Sequence, residues 1–537
     1  MLRLTELKLP LDHADDALRP AIVQRLGIAD NDLLTFSVFK RSYDARKKYG
    51  DMPFIYTIDC EVKDEAALLA RLSDDKHVGP APDIAYKPVG KAETPLDERP
   101  IVVGFGPCGI FAALILAQAG LRPIVLERGK EVRQRTKDTW GLWRKNQLNP
   151  ESNVQFGEGG AGTFSDGKLY SQIKDPHHHG RKVLQEFVKA GAPDEILYVS
   201  KPHIGTFRLT GVVATMREEI KALGGEVRFQ ERVSDLLIED DQLTGVVLES
   251  GEQILSRHVV LALGHSSRDT FRMLHARGVY LEAKPFSVGF RIEHPQSLID
   301  RARLGKYAGH PKLGAADYKL VHHASNGRSV YSFCMCPGGT VVAATSEPER
   351  VVTNGMSQYS RNERNANAGI VVGITPEQDY PGGPLAGVEL QERLESHAYV
   401  LGGRNYEAPG QLVGDFIKGK PSTALGEVQP SYKPGVKLGD LAPSLPDFAI
   451  EAIREALPAF GKQIKGFDLA DAVLTGIETR TSSPVRITRG DDLQSLNLKG
   501  LYPAGEGAGY AGGILSAGVD GIRVAEAVAK SMLGLNR

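Results

Sequence analysis

The segment that most constrains this chain is IVVGFGPCGIFAALILAQAGLRPIVLERG, residues 101–129. An apolar run at Ile101–Val103 passes directly into Gly104, Gly106 and Gly109, and an apolar helical pattern follows. Gly120 ends that pattern, and Leu121–Leu126 reads as a second strand. Strand, glycine turn, helix and strand in this order open a doubly wound parallel sheet. Gly104 allows the tight turn, Gly106 lets the backbone approach a pyrophosphate, and Gly109 permits close packing of helix on strand. The helix N-terminus adds unpaired N–H groups and partial positive charge for an anion. Glu127, at the end of the second strand, is placed to accept from an adenosine ribose and would repel a 2′-phosphate. The unit therefore points to FAD or NAD and away from NADP, with Pro107 and Arg128 as further contacts.

A second glycine segment separates those two cofactors. In LKGLYPAGEGAGYAGGILSAGVDGIRVAEAVAK, residues 498–530, a short strand ends at Ala504-Gly505-Glu506. A glycine turn containing Gly512 and Gly513 then opens a helix at Ile514. The segment resembles one in flavoproteins that share the first fingerprint, which implies that the acidic strand end bonds a ribityl or pyrophosphate-side hydroxyl and that the helix N-terminus faces the flavin edge that becomes negative on reduction. The cofactor expected is FAD. Gly505, Glu506, Gly512, Gly513 and Ile514 are its candidate contacts.

With 537 residues, two or three domains are expected. Residues 1–85 read as a small α/β unit in the order β-α-β-β-α, a ferredoxin-like plait. Residues 86–100, rich in proline and charge, read as a linker. A Rossmann-like FAD-binding domain is expected over 101–279, and an α+β substrate domain over 280–470 with strands near Ser287–Ile292, Ser329–Met335 and Thr340–Thr345. The discontinuous FAD-binding domain closes over 471–537. Four short strand candidates between Val227 and Arg257 read as a β-meander. The overall class is α/β.

Composition narrows the setting. A net charge of −1 gives no global attraction to nucleic acid or to an anionic membrane. Four cysteines in neither disulfide nor zinc spacing fit a reducing cytoplasm. The N-terminus lacks a signal-peptide pattern, and the longest apolar stretch is broken by glycine and proline. No metal is expected, because the adjacent His177, His178 and His179 do not converge on one ion.

Several segments resemble a bacterial family of FAD-dependent oxidoreductases described only as uncharacterised FAD-dependent dehydrogenases. They are GFGPCG (104–109), FGEGGAGTFSDGKL (156–169), ALGHSSRDTF (262–271), KPFSVGFRIEHPQ (284–296), CMCPGG (334–339), ETRTSSPVRI (478–487) and PAGEGAGYAGGILSAGVDGI (503–522). More distantly the layout resembles the glutathione-reductase-type FAD fold. The resemblance implies a flavin-linked transfer of two electrons between FAD and a small substrate, and the second partner expected is transient NAD(P)H as a donor or an electron acceptor. It also implies that Gly159, Gly160, Gly162 and Thr163 run beside the pyrophosphate or the flavin, and that Gly264 lies near the adenine side.

Candidate chemistry beyond the cofactor is sparse. Arg480, Ser482 and Arg486 form a polar cluster fit for a substrate carboxylate or phosphate, or equally for pairing with acids across a domain boundary. No general acid or base is identified, and Arg480, Tyr510, Cys334 and Cys336 are the catalytic candidates. The two cysteines read either as a flavin-facing redox pair or as buried inert thiols. Lys40, Arg41, Arg46, Lys47 and Lys48 crowd one basic turn. That turn supports an alternative in which a flavoprotein binds or acts on RNA or a protein through its N-terminal unit.

Overall fold

Ile101–Val103 pairs in parallel with Ile124–Glu127 on one side and with Val259–Leu261 on the other. A computed structural model describes residues 1–44 and 51–535 and shows the resulting five-stranded sheet. Its order is Leu501–Pro503, Val259–Leu261, Ile101–Val103, Ile124–Glu127, Glu226–Phe229. The inner strands are short and buried on both faces, which is why their sequences are continuous apolar runs rather than alternating ones. Helix Pro107–Gln118 starts on a proline, whose missing N–H is no loss in a first turn, and is almost wholly buried. It packs on the C-terminal helix Ile514–Met532, and the approach is so close that a Cβ on Gly521 would stand 2.3 Å from the Cys108 carbonyl oxygen. The first and last parts of the sequence thus share one sheet and one helix pair.

A second, eight-stranded sheet carries the largest core. At its centre Phe286–Pro295 lies antiparallel to Asn365–Ile374 and to Val473–Glu478. Helices Ala386–Leu401 and Asp447–Gln463 contribute Ala398, Ile450, Ile453, Leu457 and Phe460 to that core. Residues 1–80 hold a separate four-stranded antiparallel sheet, ordered Leu33–Tyr43, Phe54–Val62, Leu2–Leu9, Val78–Pro80, with helices Leu18–Leu26 and Glu65–Arg71. The chain is a mixed α/β protein. Among the described residues no helix is long and apolar enough to cross a membrane.

Four sequence expectations are corrected. Glu226–Phe229 is an edge strand of the parallel sheet and not part of the meander, because helix Thr206–Ala222 precedes it and returns the chain parallel to Ile124–Glu127. The meander has three strands, Val233–Glu239, Gln242–Leu248 and Gln253–Leu255. The two strands expected around Cys334 and Thr340 are one, Ser329–Ala343; Pro337-Gly338-Gly339 sits inside it, with irregular register absorbing the proline. Val473–Glu478 belongs to the large sheet, so residues from 471 do not all join the nucleotide-side sheet. The segment read as a linker packs Tyr86, Val89, Ala92 and Leu96 on the nucleotide-side core.

Of the basic N-terminal residues, Arg41 turns inward, its guanidinium 5.2 Å from the Phe54 ring and 5.3 Å from the Tyr198 ring. Arg46, Lys47 and Lys48 lie outside the described residues.

Candidate functional site

The carboxyl ends of the parallel strands open into a cavity of about 410 Å³ that continues onto the large sheet. Ligands of doubly wound sheets sit at such strand ends. Gly104, Gly106 and Pro107 form one wall. Gly104 has φ +95°, its N–H donates to the Leu126 carbonyl at 2.8 Å, and a Cβ there would meet the Ala262 carbonyl oxygen at 2.3 Å. Gly109 stands behind the turn, where a Cβ would be 1.9 Å from the Gly104 oxygen. Gly104 and Gly109 therefore shape the turn, while Gly106 faces the cavity.

Glu127 is buried, and its carboxylate accepts from the amides of Phe105 (2.8 Å), Gly129 (2.8 Å) and Gly157 (2.9 Å). A carboxylate offers about four acceptor positions, so one remains toward the cavity that it lines. Glu127 thus ties the glycine turn to the second glycine-rich loop as well as presenting an acceptor. Arg128 is fixed beside it by ion pairs to Glu151 and Asp269 at 2.9 Å, with its guanidinium 4.0 Å from the Phe156 ring.

The loop 156–169 crosses the first turn at Gly160, whose Cβ would stand 2.8 Å from the Gly106 Cα. Gly160 and Gly162 line the cavity. Gly159 and Thr163 face each other behind it, where a Cβ on Gly159 would meet the Thr163 hydroxyl oxygen at 2.1 Å. The loop rests on Arg135, fully buried in helix Val132–Lys145, which donates to the carbonyls of Asn153 (2.8 Å), Val154 (2.7 Å), Glu158 (2.6 Å) and Gly160 (2.9 Å). Burial pulls its guanidinium down to about 10, still charged at neutral pH. Sequence reasoning missed Arg135, because an arginine in a charged amphipathic helix carries no mark of burial.

Gly264, Gly512 and Gly513 also line the cavity, and a Cβ on any of the three would meet no atom within 4 Å. Space left open at three glycines is a cradle for a flat group, and with the Gly104–Gly106 turn and Glu127 it fits FAD. Gly505 is instead packed against Cys108, and its N–H donates to Asp520 at 2.8 Å. Ile514 closes over Gly162 at the start of the last helix. His265, beside Gly264, is pushed down to about 3 by burial and by Arg480 and Arg268, so it stays neutral.

Glu506 faces the cavity with no side-chain hydrogen bond among the described residues. Burial lifts its carboxyl to about 7, against the pull of Lys284 and with a smaller push from Cys334. A carboxyl raised on folding favours its protonated form in the fold, so stability is full below its unfolded value and falls as pH rises. FAD-free protein should therefore lose stability between pH ~4.5 and about 7 and then level off. Urea midpoints across that range should show the slope in wild type and its loss in Glu506→Gln; equal slopes in the two proteins would refute the assignment.

The far wall comes from the large sheet and includes Cys334, Asn354, Glu478 and Thr481, with Lys168 from the loop. Glu478 is paired with fully buried Arg291 at 2.7 Å. The polar cluster around 480 proves to be divided. Arg480 reaches the cavity edge, but its guanidinium is held by Glu395 (2.9 Å) and donates to the Ser266 (3.0 Å) and Ser346 (2.8 Å) hydroxyls. This is the acid-pairing alternative, and it leaves Arg480 without a free fork for a substrate anion. Ser482 accepts from Lys284 at 3.4 Å, and Arg486 lies toward the Tyr510 ring at 5.6 Å. The Tyr510 hydroxyl accepts from the Arg489 amide at 3.0 Å. Ser482, Arg486 and Tyr510 do not line the cavity, since each is drawn into contacts within the chain.

Residues 285–481 match a family model described as FAD-dependent protein, C-terminal domain-like, and residues 1–61 match a domain of unknown function. An uncharacterized protein of Clostridium beijerinckii is 49% identical over 532 residues, covering 98% of each chain. Among solved structures, glycine oxidase from Bacillus cereus is 12% identical with a TM-score of 0.35, over 82% of this chain and 96% of that one. L-proline dehydrogenase from P. horikoshii is 14% identical with a TM-score of 0.33, over 83% of this chain and 95% of that one.

Proposed function

Since this chain belongs to the bacterial family of FAD-dependent proteins that includes its Clostridium beijerinckii relative, and FAD is its cofactor, we propose that it is an FAD-dependent dehydrogenase. It would transfer two electrons between FAD and a small substrate in the cytoplasm, with an electron acceptor, or transiently bound NAD(P)H as donor, completing the cycle. The observation that carries this reading is the continuity of one cavity from the Gly104–Gly106 turn, past the open Gly512 and Gly513, to a polar wall on the large sheet. The two sheets then have separate tasks: the parallel sheet, closed by Leu501–Pro503, holds the cofactor, and the large sheet forms the substrate wall.

When bound, FAD supplies the redox chemistry. The chain's own residues position and exclude. The Gly104–Gly106 turn and the N-terminus of helix Pro107–Gln118 offer N–H groups and partial positive charge to the pyrophosphate. Glu127 offers its remaining acceptor to a ribose hydroxyl. Glu506, poised near neutrality, holds a proton or releases it at its carboxyl beside the last helix. Phe156 and Phe333 give the cavity apolar surface that limits water.

The test is spectroscopic. Purified protein should show flavin absorption, release FAD on denaturation, and bleach without oxygen when the right member of a panel of 2-hydroxy acids, amines and reduced nicotinamides is added. Protein that carries no flavin and takes up none from added FAD would overturn the reading. So would FAD-loaded protein that no member of the panel reduces.

A further inference from the structure

Cys334 and Cys336 sit where the long strand Ser329–Ala343 loses its regular register against Asn365–Ile374. Between Phe333, opposite Gly369, and Cys336, opposite Asn367, the long strand carries one residue more than its partner. Such a bulge shortens and bends the strand. In a regular strand, residues two apart lie ~6.6 Å apart at Cα, near the upper limit for a disulfide. The bulge breaks the regular alternation that would otherwise set the spacing of this pair. Cys334 itself has φ +41°, a left-handed conformation that a residue with a side chain rarely adopts.

The two thiols differ in setting. Cys334 lines the cavity and is partly exposed to it, whereas Cys336 is fully buried behind it, its Sγ 3.4 Å from the Cys334 carbonyl oxygen. Both are free. Lys168, which lines the same cavity, donates from its Nζ to the Met335 carbonyl between them, and Arg291 donates to the Cys334 carbonyl at 2.8 Å. Asn367, opposite Cys336, has a buried Nδ2 without a partner. The charged groups facing the pair are therefore Lys168, Arg291 and Arg361, balanced by Asp166, Glu478 and Glu506. A hydrogen bond from the Cys336 thiol lowers the pKa of Cys334 despite burial, with help from Lys168 and Arg291, and so favours its thiolate. The same contact, together with burial, raises the pKa of Cys336 and keeps it a thiol. The chain's other two cysteines are inert by comparison, since burial lifts Cys60 to about 12 and raises Cys108 well above its ordinary value.

We propose that Cys334 and Cys336 form a two-electron dithiol–disulfide couple in the wall of the FAD cavity, whose substrate is a small disulfide. Cys334, as thiolate, attacks one sulfur of the small disulfide. A mixed disulfide forms and one thiolate leaves, taking the proton of the Cys336 thiol. The Cys336 sulfur then displaces the second thiolate, which takes a proton from solvent. The Cys334–Cys336 bond is formed, and the small disulfide has become two thiols with the two electrons the pair lost. The placement of the couple beside FAD rests on the function proposed above; the exchange chemistry does not.

The experiment counts thiols in the holoprotein. Reduced with dithiothreitol, desalted without oxygen and alkylated after denaturation, the protein should show all four of its cysteines modified. After brief exposure to hydroxyethyl disulfide it should show only Cys60 and Cys108 modified, with Cys334 and Cys336 linked in one peptide. Four modified cysteines in both samples would overturn the couple. Cys336→Ser should stop at a stable mixed disulfide on Cys334, and Cys334→Ser should react at least ~10-fold more slowly. A trapped adduct on Cys336 instead would overturn the assigned order.

A second reading uses the flavin. Photoreduced holoprotein should be reoxidised by hydroxyethyl disulfide without oxygen, and Cys336→Ser should not; equal rates would overturn the electronic link to FAD. The two proposals fail separately. Yellow protein that keeps four thiols refutes the couple alone, and colourless protein that links Cys334 to Cys336 refutes the FAD reading alone.

Discussion

Glu395→Gln is expected to lose about 3–5 kcal/mol of stability. Glu395, on helix Ala386–Leu401, is fully buried and accepts from two arginines and a hydroxyl. Arg268 reaches it at 2.6 Å, Arg480 at 2.9 Å and the Thr479 hydroxyl at 2.7 Å. Although burial opposes the charge, the two guanidinium groups hold this carboxyl well below the usual carboxylate range. Its contribution to stability is therefore present above the unfolded carboxyl value and is lost only as pH falls through the depressed folded one. The amide of glutamine keeps the shape and removes the charge, leaving two buried cations with only the partly exposed Glu347 to share. Arg268 belongs to the helix that follows the parallel strand Val259–Leu261, whereas Glu395 belongs to a helix packed on the large sheet and Arg480 stands two residues past its strand Val473–Glu478, so the triad fastens one sheet to the other. Urea unfolding followed by circular dichroism measures the loss, and a change under ~1 kcal/mol would show the triad to be solvated rather than buried. Replacing all three residues together, Arg268→Met, Glu395→Leu and Arg480→Met, should recover much of the loss, because no buried charge is then unpaired and the partly exposed Glu347 keeps Arg350 at 2.6 Å.

The same triad shows where the sequence stops being informative. Arginine, serine and threonine around 480 are the residue types that hold a substrate anion, and they are also the types that satisfy a buried acid. Only the fold brings Glu395 and Arg268 to them. The first glycine turn was legible because all of its requirements are local: a strand, three glycines at fixed spacing, a helix start and an acid at the next strand end. Val473–Glu478 and Glu226–Phe229 were misassigned for the opposite reason. A short buried strand has no sequence mark for its partner, and both pair with segments distant in the chain. Cys334 and Cys336 are legible as a pair, but the bulge between Phe333 and Cys336 comes from mismatch with Asn365–Ile374 and has no local signature. Among the glycines, the pattern marked Gly104, Gly505 and Gly512 alike, whereas the structure separates those that shape the backbone from those that leave room.

That separation yields the second large effect. Gly512→Val is expected to weaken FAD binding by ~100-fold or more, about 2.7 kcal/mol, while the FAD-free protein keeps its stability to within ~0.5 kcal/mol. A Cβ on Gly512 meets no atom within 4 Å, its backbone is not among the left-handed glycines, and its N–H donates to the Ser516 hydroxyl at 3.1 Å, which valine preserves. The added carbons therefore enter only the cavity, on the path between the first glycine turn and the large sheet. Gly104→Val differs in kind. At φ +95° and 2.3 Å from the Ala262 oxygen, its Cβ forces the strand ends apart, so stability and FAD binding should fall together. Titrating each FAD-free variant with FAD by fluorescence, beside its thermal unfolding, distinguishes a filled cradle from a broken scaffold. If Gly512→Val binds FAD within threefold of wild type, the cofactor does not pass over the last glycine turn. The assignment of FAD to the whole cavity would then retreat to the Gly104–Glu127 end.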